Sequence, residues 1–285
     1  MKKLLTYIIT LFVTISMTTP IYASAANNEF NILSGDNGQF GYKIINETPL
    51  FRFTTSSIEV NEFDNSVEIQ TNLNYFTQNG DIKIELDLPE GAYLTYMSNY
   101  VDNDENGVIL ILDKENNLLG IIDHTYIITK DGKKIKAGNT IVNENTIMPL
   151  YDENIKGGTM VNILASALNF NQYFEYLTLI TNYGTAPQNT SFELKIRIDN
   201  INALASSVPN ASYLLWEAAS DKGSSIYGAT WSNAAESLRK QFNCHYAVRQ
   251  YKINTEGTSE GLKWNLEPWR SATYTFDYLI NRCNP

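Results

Sequence analysis

The chain has 285 residues, with 21 basic and 31 acidic side chains, 12% aromatic residues, two cysteines and two histidines. Its formal net charge of -10 makes a polyanion such as DNA or RNA a poor partner for the molecule as a whole. The length exceeds one typical domain and fits two, with ample chain for a buried core.

Lys2 and Lys3, the apolar run Leu4 to Met17 and the small residues Ala23-Ser24-Ala25 read as a secretory signal peptide over 1–25. Thr18, Thr19 and Pro20 stop the apolar run short of a membrane span, so no transmembrane anchor is expected once the signal is cut. The expected address is secreted, extracellular. Loss of Lys2 and Lys3 leaves 19 basic against 31 acidic residues, a net charge near -12.

Residues 26–200 carry a period of two. Val67, Ile69, Thr71, Leu73 and Tyr75 alternate with polar neighbours, as do Ile82, Ile84, Leu86 and Leu88, and later Phe192, Leu194, Ile196 and Ile198. Each run reads as a half-buried antiparallel strand, and many short strands separated by Gly, Asn and Asp predict a β-sandwich. Asp102, Asp104, Asn106 and Asp113 stand at positions one, three, five and twelve of a loop with Gly107 at six, the spacing of a calcium loop. The same residues also suit a tight turn before the apolar run Val108 to Leu112, and the two readings stay open. Calcium is therefore a possible ligand, and no other cofactor is expected. His124, between Asp123 and Thr125, reads as a structural hydrogen-bonding residue. Asp131-Gly132, between Tyr126–Lys130 and Lys133–Lys136, marks a hairpin with a two-residue turn. The apolar runs Gly157 to Leu168 and Tyr173 to Ile180 suit strand or short helix alike.

Residues 201–225, rich in Ser, Asn and Pro, read as a linker or short helix, with Ser212 to Ala219 packing Leu214, Leu215 and Trp216. Residues 226–285 form the expected second domain, small and α+β. Ser232 or Asn233 starts a helix to about Arg249 that sets Ala235, Leu238, Phe242, His245 and Arg249 on one stripe. A helix ending near Cys244, followed by a strand from Tyr246 to Ile253, is the alternative. Asn254 to Gly261 reads as a polar turn, Leu262, Trp264 and Leu266 as a strand ended by Pro268, and Phe276, Leu279, Ile280 and Cys283 as one face of a short final helix. In an exported protein the pair Cys244 and Cys283 predicts a disulfide, with zinc the weaker reading.

Ser-Leu-Arg-Lys-Gln-Phe-Asn-Cys-His (237–245), Trp-Asn-Leu-Glu-Pro-Trp-Arg (264–270) and the closing Cys-Asn-Pro resemble the signature of a family of uncharacterised C-terminal domains of secreted Gram-positive bacterial proteins. The resemblance covers about the last 55 residues. It implies export and domain identity, and it carries over no catalytic residue.

No nucleophile elbow, Walker loop, zinc-protease motif or dinucleotide fingerprint occurs. The side chains with chemistry to offer are His245, Glu267, Arg239 and Arg270, an acid–base pair with two anion-holding arginines, which would suit a hydrolase or a secreted toxin-like effector. Against that stands a binding or interaction factor, acting at the cell surface or in the medium. From 227 to 285 seven basic residues meet five acidic ones, so this end can face a cell-wall, membrane-surface or protein partner although the rest is strongly acidic. The binding reading is the expectation carried forward.

Overall fold

The computed structural model describes residues 30–35, 37–46, 58–63, 65–73, 82–99, 107–150, 155, 157–182, 189–270 and 283. The signal peptide, Asp102, Asp104, Asn106 and all of the final helix except Cys283 lie outside the described residues. The chain is mainly β, a multi-sheet antiparallel region followed by a helical, disulfide-closed end.

The strands run β1 (Asn31–Gly35), β2 (Gly38–Asn46), β3 (Ile58–Phe63), β4 (Ser66–Asn72), β5 (Ile82–Asp87), β6 (Tyr93–Tyr96), β7 (Ile109–Leu112) and β8 (Leu118–Ile122). They continue with β9 (Tyr126–Ile128), β10 (Lys134–Lys136), β11 (Gly138–Asn143), β12 (Thr146–Leu150) and β13 (Thr159–Ser166). After these come α1 (Phe170–Tyr173), β14 (Phe174–Thr181), β15 (Thr190–Ile196), α2 (Ile198–Ser207), α3 (Ala211–Tyr227), α4 (Ala229–Ser232), α5 (Ala235–Gly261) and β16 (Lys263–Leu266).

The described residues form three sheets. The first has the order β1-β2-β5-β12-β11; the second has β10-β9-β13-β8-β7-β6, with β4 also paired to β13 and β3 to β4; the third is β14-β15-β16. One face of the second sheet gives Ile109, Ile111, Leu119, Ile122 and Leu164 to a core shared with Phe40, Tyr42, Ile84 and Ile147 of the first. Its other face gives Leu110, Ile121, Val161 and Ile163 to a core shared with the helices and the third sheet. The second sheet is thus a middle layer. A strand covered on both sides needs buried residues at successive positions, which is why β7 and β8 are continuous rather than alternating runs and β13 is buried from Met160 to Ser166, Asn162 and Ser166 being the polar exceptions in it. The ambiguous segments 157–168 and 173–180 resolve as β13 and, after the single turn α1, as β14.

The hairpin forms at the expected place but turns differently. Thr129 N–H donates to Lys133 O at 3.0 Å and Gly132 N–H to Thr129 O at 2.8 Å, so three residues make the turn, and Gly132 takes φ +81°.

The segment 201–225 is helical almost throughout. α2 buries Ile201 and Leu204, and α3 buries Leu214, Leu215, Trp216 and Ala219. α5 starts at Ala235, while Ser232 belongs to the short α4, whose C-cap is Asn233. The alternative strand at Tyr246 to Ile253 is helix, and the polar turn expected from Asn254 is displaced. Helix continues to Gly257, where φ +82° breaks it. Polar neighbours one turn apart support that extension: Gln250 with Asn254 at 3.2 Å and Lys252 with Glu256 at 3.8 Å. No helix among the described residues is long and apolar enough to cross a membrane.

β16 hydrogen-bonds to β15, with Trp264 opposite Leu194 and Leu266 opposite Phe192. The third sheet therefore unites chain separated by some 70 residues. Around it lies an aromatic cluster of Phe174, Phe192, Trp216, Tyr227, Trp231, Phe242 and Trp264, with ring centroids 4.9 to 6.3 Å apart. Cys244 on α5 is bonded to Cys283, with Cα atoms 5.4 Å apart.

Candidate functional site

Ser237, Gln241 and His245 follow one another at i+4 on α5 and form a buried polar row beside the apolar Leu238 and Phe242. Such a row inside a core needs partners, and β16 with its continuation supplies them. Gln241 holds the Glu267 backbone with both ends of its amide. Its Nε2–H donates to Glu267 O at 3.0 Å, and its Oε1 accepts Glu267 N–H at 2.7 Å. His245 Nε2–H donates to Asn265 O at 3.3 Å, and its ring stacks on Trp264 at 5.8 Å and 11°. With Nε2 as the donor, Nδ1 is the acceptor edge of the ring, and it faces Lys252 Nζ at 3.5 Å.

The sequence candidates divide accordingly. His245 and Glu267 both come to the contact between α5 and β16, where they are 1% and 2% exposed. The Glu267 carboxylate holds Arg270 through Nε, while the Arg270 guanidinium lies 4.3 Å from the Trp269 ring. Arg239 stands six residues before His245, about 240° round the helix and on another face. Its charge acts on Glu217 of α3 instead. Gln241, Lys252 and Asn265 were missed as partners in this contact. The signal that could have found Gln241 is the spacing of polar residues at 237, 241 and 245 within an otherwise core-forming helix; Lys252 and Asn265 carry no such signal.

Burial, reinforced by the neighbouring Asp221, pushes the Glu217 carboxyl up to about 7, with Arg239 pulling the other way. A raised carboxyl keeps its proton in the folded state after the unfolded chain has lost it. The contribution is fully present below the ordinary value of 4.5 and is lost as pH rises through 7. Glu217→Gln is therefore expected to raise stability at about pH 8 by on the order of 2 to 3 kcal/mol and to leave stability near pH 4 almost unchanged. Urea unfolding at both pH values measures it, and an equal effect at the two would rule this account out.

A second buried polar group joins the sandwich to the helices. Asp123, in the break between β8 and β9, is fully buried. Its Oδ2 accepts Asn210 N–H at 2.9 Å, at the N-terminus of α3, and its Oδ1 accepts Asn210 Nδ2–H at 2.7 Å and His124 N–H at 2.6 Å. A carboxylate at a helix N-terminus meets both orphan backbone donors and the positive end of the helix dipole. His124 Nδ1 lies 3.2 Å from Asp123 Oδ1.

Of the calcium-loop residues the structure describes Asp113. Its Oδ1 accepts Glu115 N–H at 2.9 Å and Asn117 N–H at 2.8 Å, and its Oδ2 accepts Asn117 Nδ2–H at 2.8 Å. These bonds, the Asn117 side chain foremost, hold its carboxyl below the usual range. Among the described residues no group of three or more His, Cys, Asp or Glu is placed to hold a metal ion.

No curated protein and no solved structure matches the chain. Residues 208–285 match the family model described as "Protein of unknown function (DUF2599)", a match that begins well upstream of the signature read from the sequence.

Proposed function

We propose that this chain is a binding factor exported from a Gram-positive cell, acting at the cell surface or in the medium through its C-terminal end. The observation that carries this reading is Trp269. The residue is 46% exposed, yet its Nε1–H is fixed on Thr190 O at 3.0 Å and Arg270 lies over the ring. Arg270 is in turn held by Glu267, which α5 anchors through Gln241. An indole and a guanidinium held rigid at the surface lose little freedom on contact, and these two side chains dominate the energetics of interfaces. The excess of basic residues from 227 onward, in an otherwise acidic chain, favours an anionic cell-wall polymer as the partner.

The mature protein is expected to sediment with isolated cell walls bearing anionic polymers, less so at high salt. Trp269→Ala should cut that retention about ten-fold, while His245→Gln, with its fold retained, leaves it unchanged. Absence of sedimentation, or equal retention of the Trp269 variant, would refute the reading.

A further inference from the structure

The outer face of the second sheet is only partly covered by helices. Opposed residues of antiparallel neighbours point to one side of a sheet. Val161 faces Gln70 on one side and Tyr126 on the other, Ile163 faces Glu68, and Glu68 faces Asn61. The face that is apolar under the helices thus becomes polar and aromatic as it leaves them.

α2 stands along that boundary, with a cleft on each side. One, of about 340 Å³, is floored by Glu68, Gln70, Tyr126 and Val161 and walled by Ser207 and Pro209. The other, of about 330 Å³, is lined by Glu62, Phe63, Asn65, Gln172, Asn200 and Ser207. Both volumes fall within the range of small-ligand sites, and Ser207 lines both clefts.

Their chemistry is narrow. The amides are oriented before any ligand arrives: Gln70 Nε2–H donates to Glu68 Oε1 at 2.6 Å, Asn65 Nδ2–H to Gln172 Oε1 at 3.0 Å, and Asn200 Nδ2–H to Gln172 O at 2.6 Å. That leaves Gln70 Oε1, Asn65 Oδ1 and Gln172 Nε2 turned to other partners, a mixture of acceptors and a donor. Glu62 and Glu68 disfavour an anion, and Lys134, the one lysine among the described residues lining either cleft, lies over the Tyr126 ring at 3.7 Å. A ligand that satisfies such a lining must offer hydroxyls that both donate and accept, carry little charge, and present C–H faces to Tyr126, Phe63 and Val161. We infer that these paired clefts bind a neutral oligosaccharide lying past the end of α2. The site goes beyond the contact at Trp269 and is independent of it.

Titration of the mature protein with chitohexaose, cellohexaose and maltohexaose by calorimetry tests the inference. At least one should bind with a Kd of about 1 mM or tighter. Gln70→Ala and Gln172→Ala should each weaken that binding about ten-fold at an unchanged melting temperature, and Trp269→Ala should leave it intact. Silence with all three sugars, indifference to both glutamine variants, or occupation of the clefts by tetralysine in place of a sugar overturns it. Loss of cell-wall retention in the Trp269 variant bears only on the other contact.

Discussion

Reducing the Cys244–Cys283 bond, or replacing both cysteines by serine, is expected to lower stability by about 4 kcal/mol. The bond closes a sequence separation of 39 residues, and the chain-entropy account assigns roughly that amount to a loop of this length. Both cysteines are buried, with Val248 packed against them, so apolar burial adds to the cross-link. Urea melts with and without reductant, monitored by tryptophan fluorescence, measure the effect. Coincident melts would mean that the tail beyond β16 is held without the cross-link.

Trp231→Ala should cost at least as much, about 4 to 5 kcal/mol, the upper range for deleting a buried aromatic side chain. The indole is fully buried, edge-on to Phe192 at 4.9 Å and stacked on Trp216 at 5.9 Å. Its Nε1–H reaches Ser220 Oγ at 3.4 Å, and its six-membered ring lies against Gly223, where any Cβ would collide with it. Small neighbours on a helix cannot move in to fill such a void, and the aromatic pairs are lost as well. A fall in melting temperature of about 10 °C or more is expected, with Trp231→Phe losing less than half of that. A loss under about 1 kcal/mol for the alanine variant would show that the cluster repacks.

Period-two patterning reports which side of a strand is buried, and it served well where one face meets a core and the other does not. Ile82, Ile84 and Leu86 became β5, and Phe192, Leu194 and Ile196 became β15, as their alternation predicts. It fails in the middle layer, where β8 and β13 are buried on both sides and carry no alternation to read. α5 outran its expected end because Asn254 and Glu256 pair one turn back along the helix, and a count of turn-forming residues does not register such pairs. At the candidate site the sequence named His245 and Glu267 but could not show what joins them to the fold. That link is Gln241, whose place in the 237, 241, 245 polar row marks it as buried but does not name its partner, the backbone of a residue 26 positions away. The clefts beside α2 were invisible for the same reason, since Asn65 and Gln172 meet across 107 residues.

The pairing of β16 with β15 bears on where the family's boundary falls in this chain. A segment starting at residue 208 begins between α2 and α3, after β14 and β15 have already been laid down. Cut there, it would keep β16 as a single strand with an open edge and lose Phe174 and Phe192 from beneath Trp231 and Phe242. The recognisable stretch is in that sense the second half of a structural unit. In this chain β14 and β15, upstream of that stretch, supply the two-stranded partner that β16 needs.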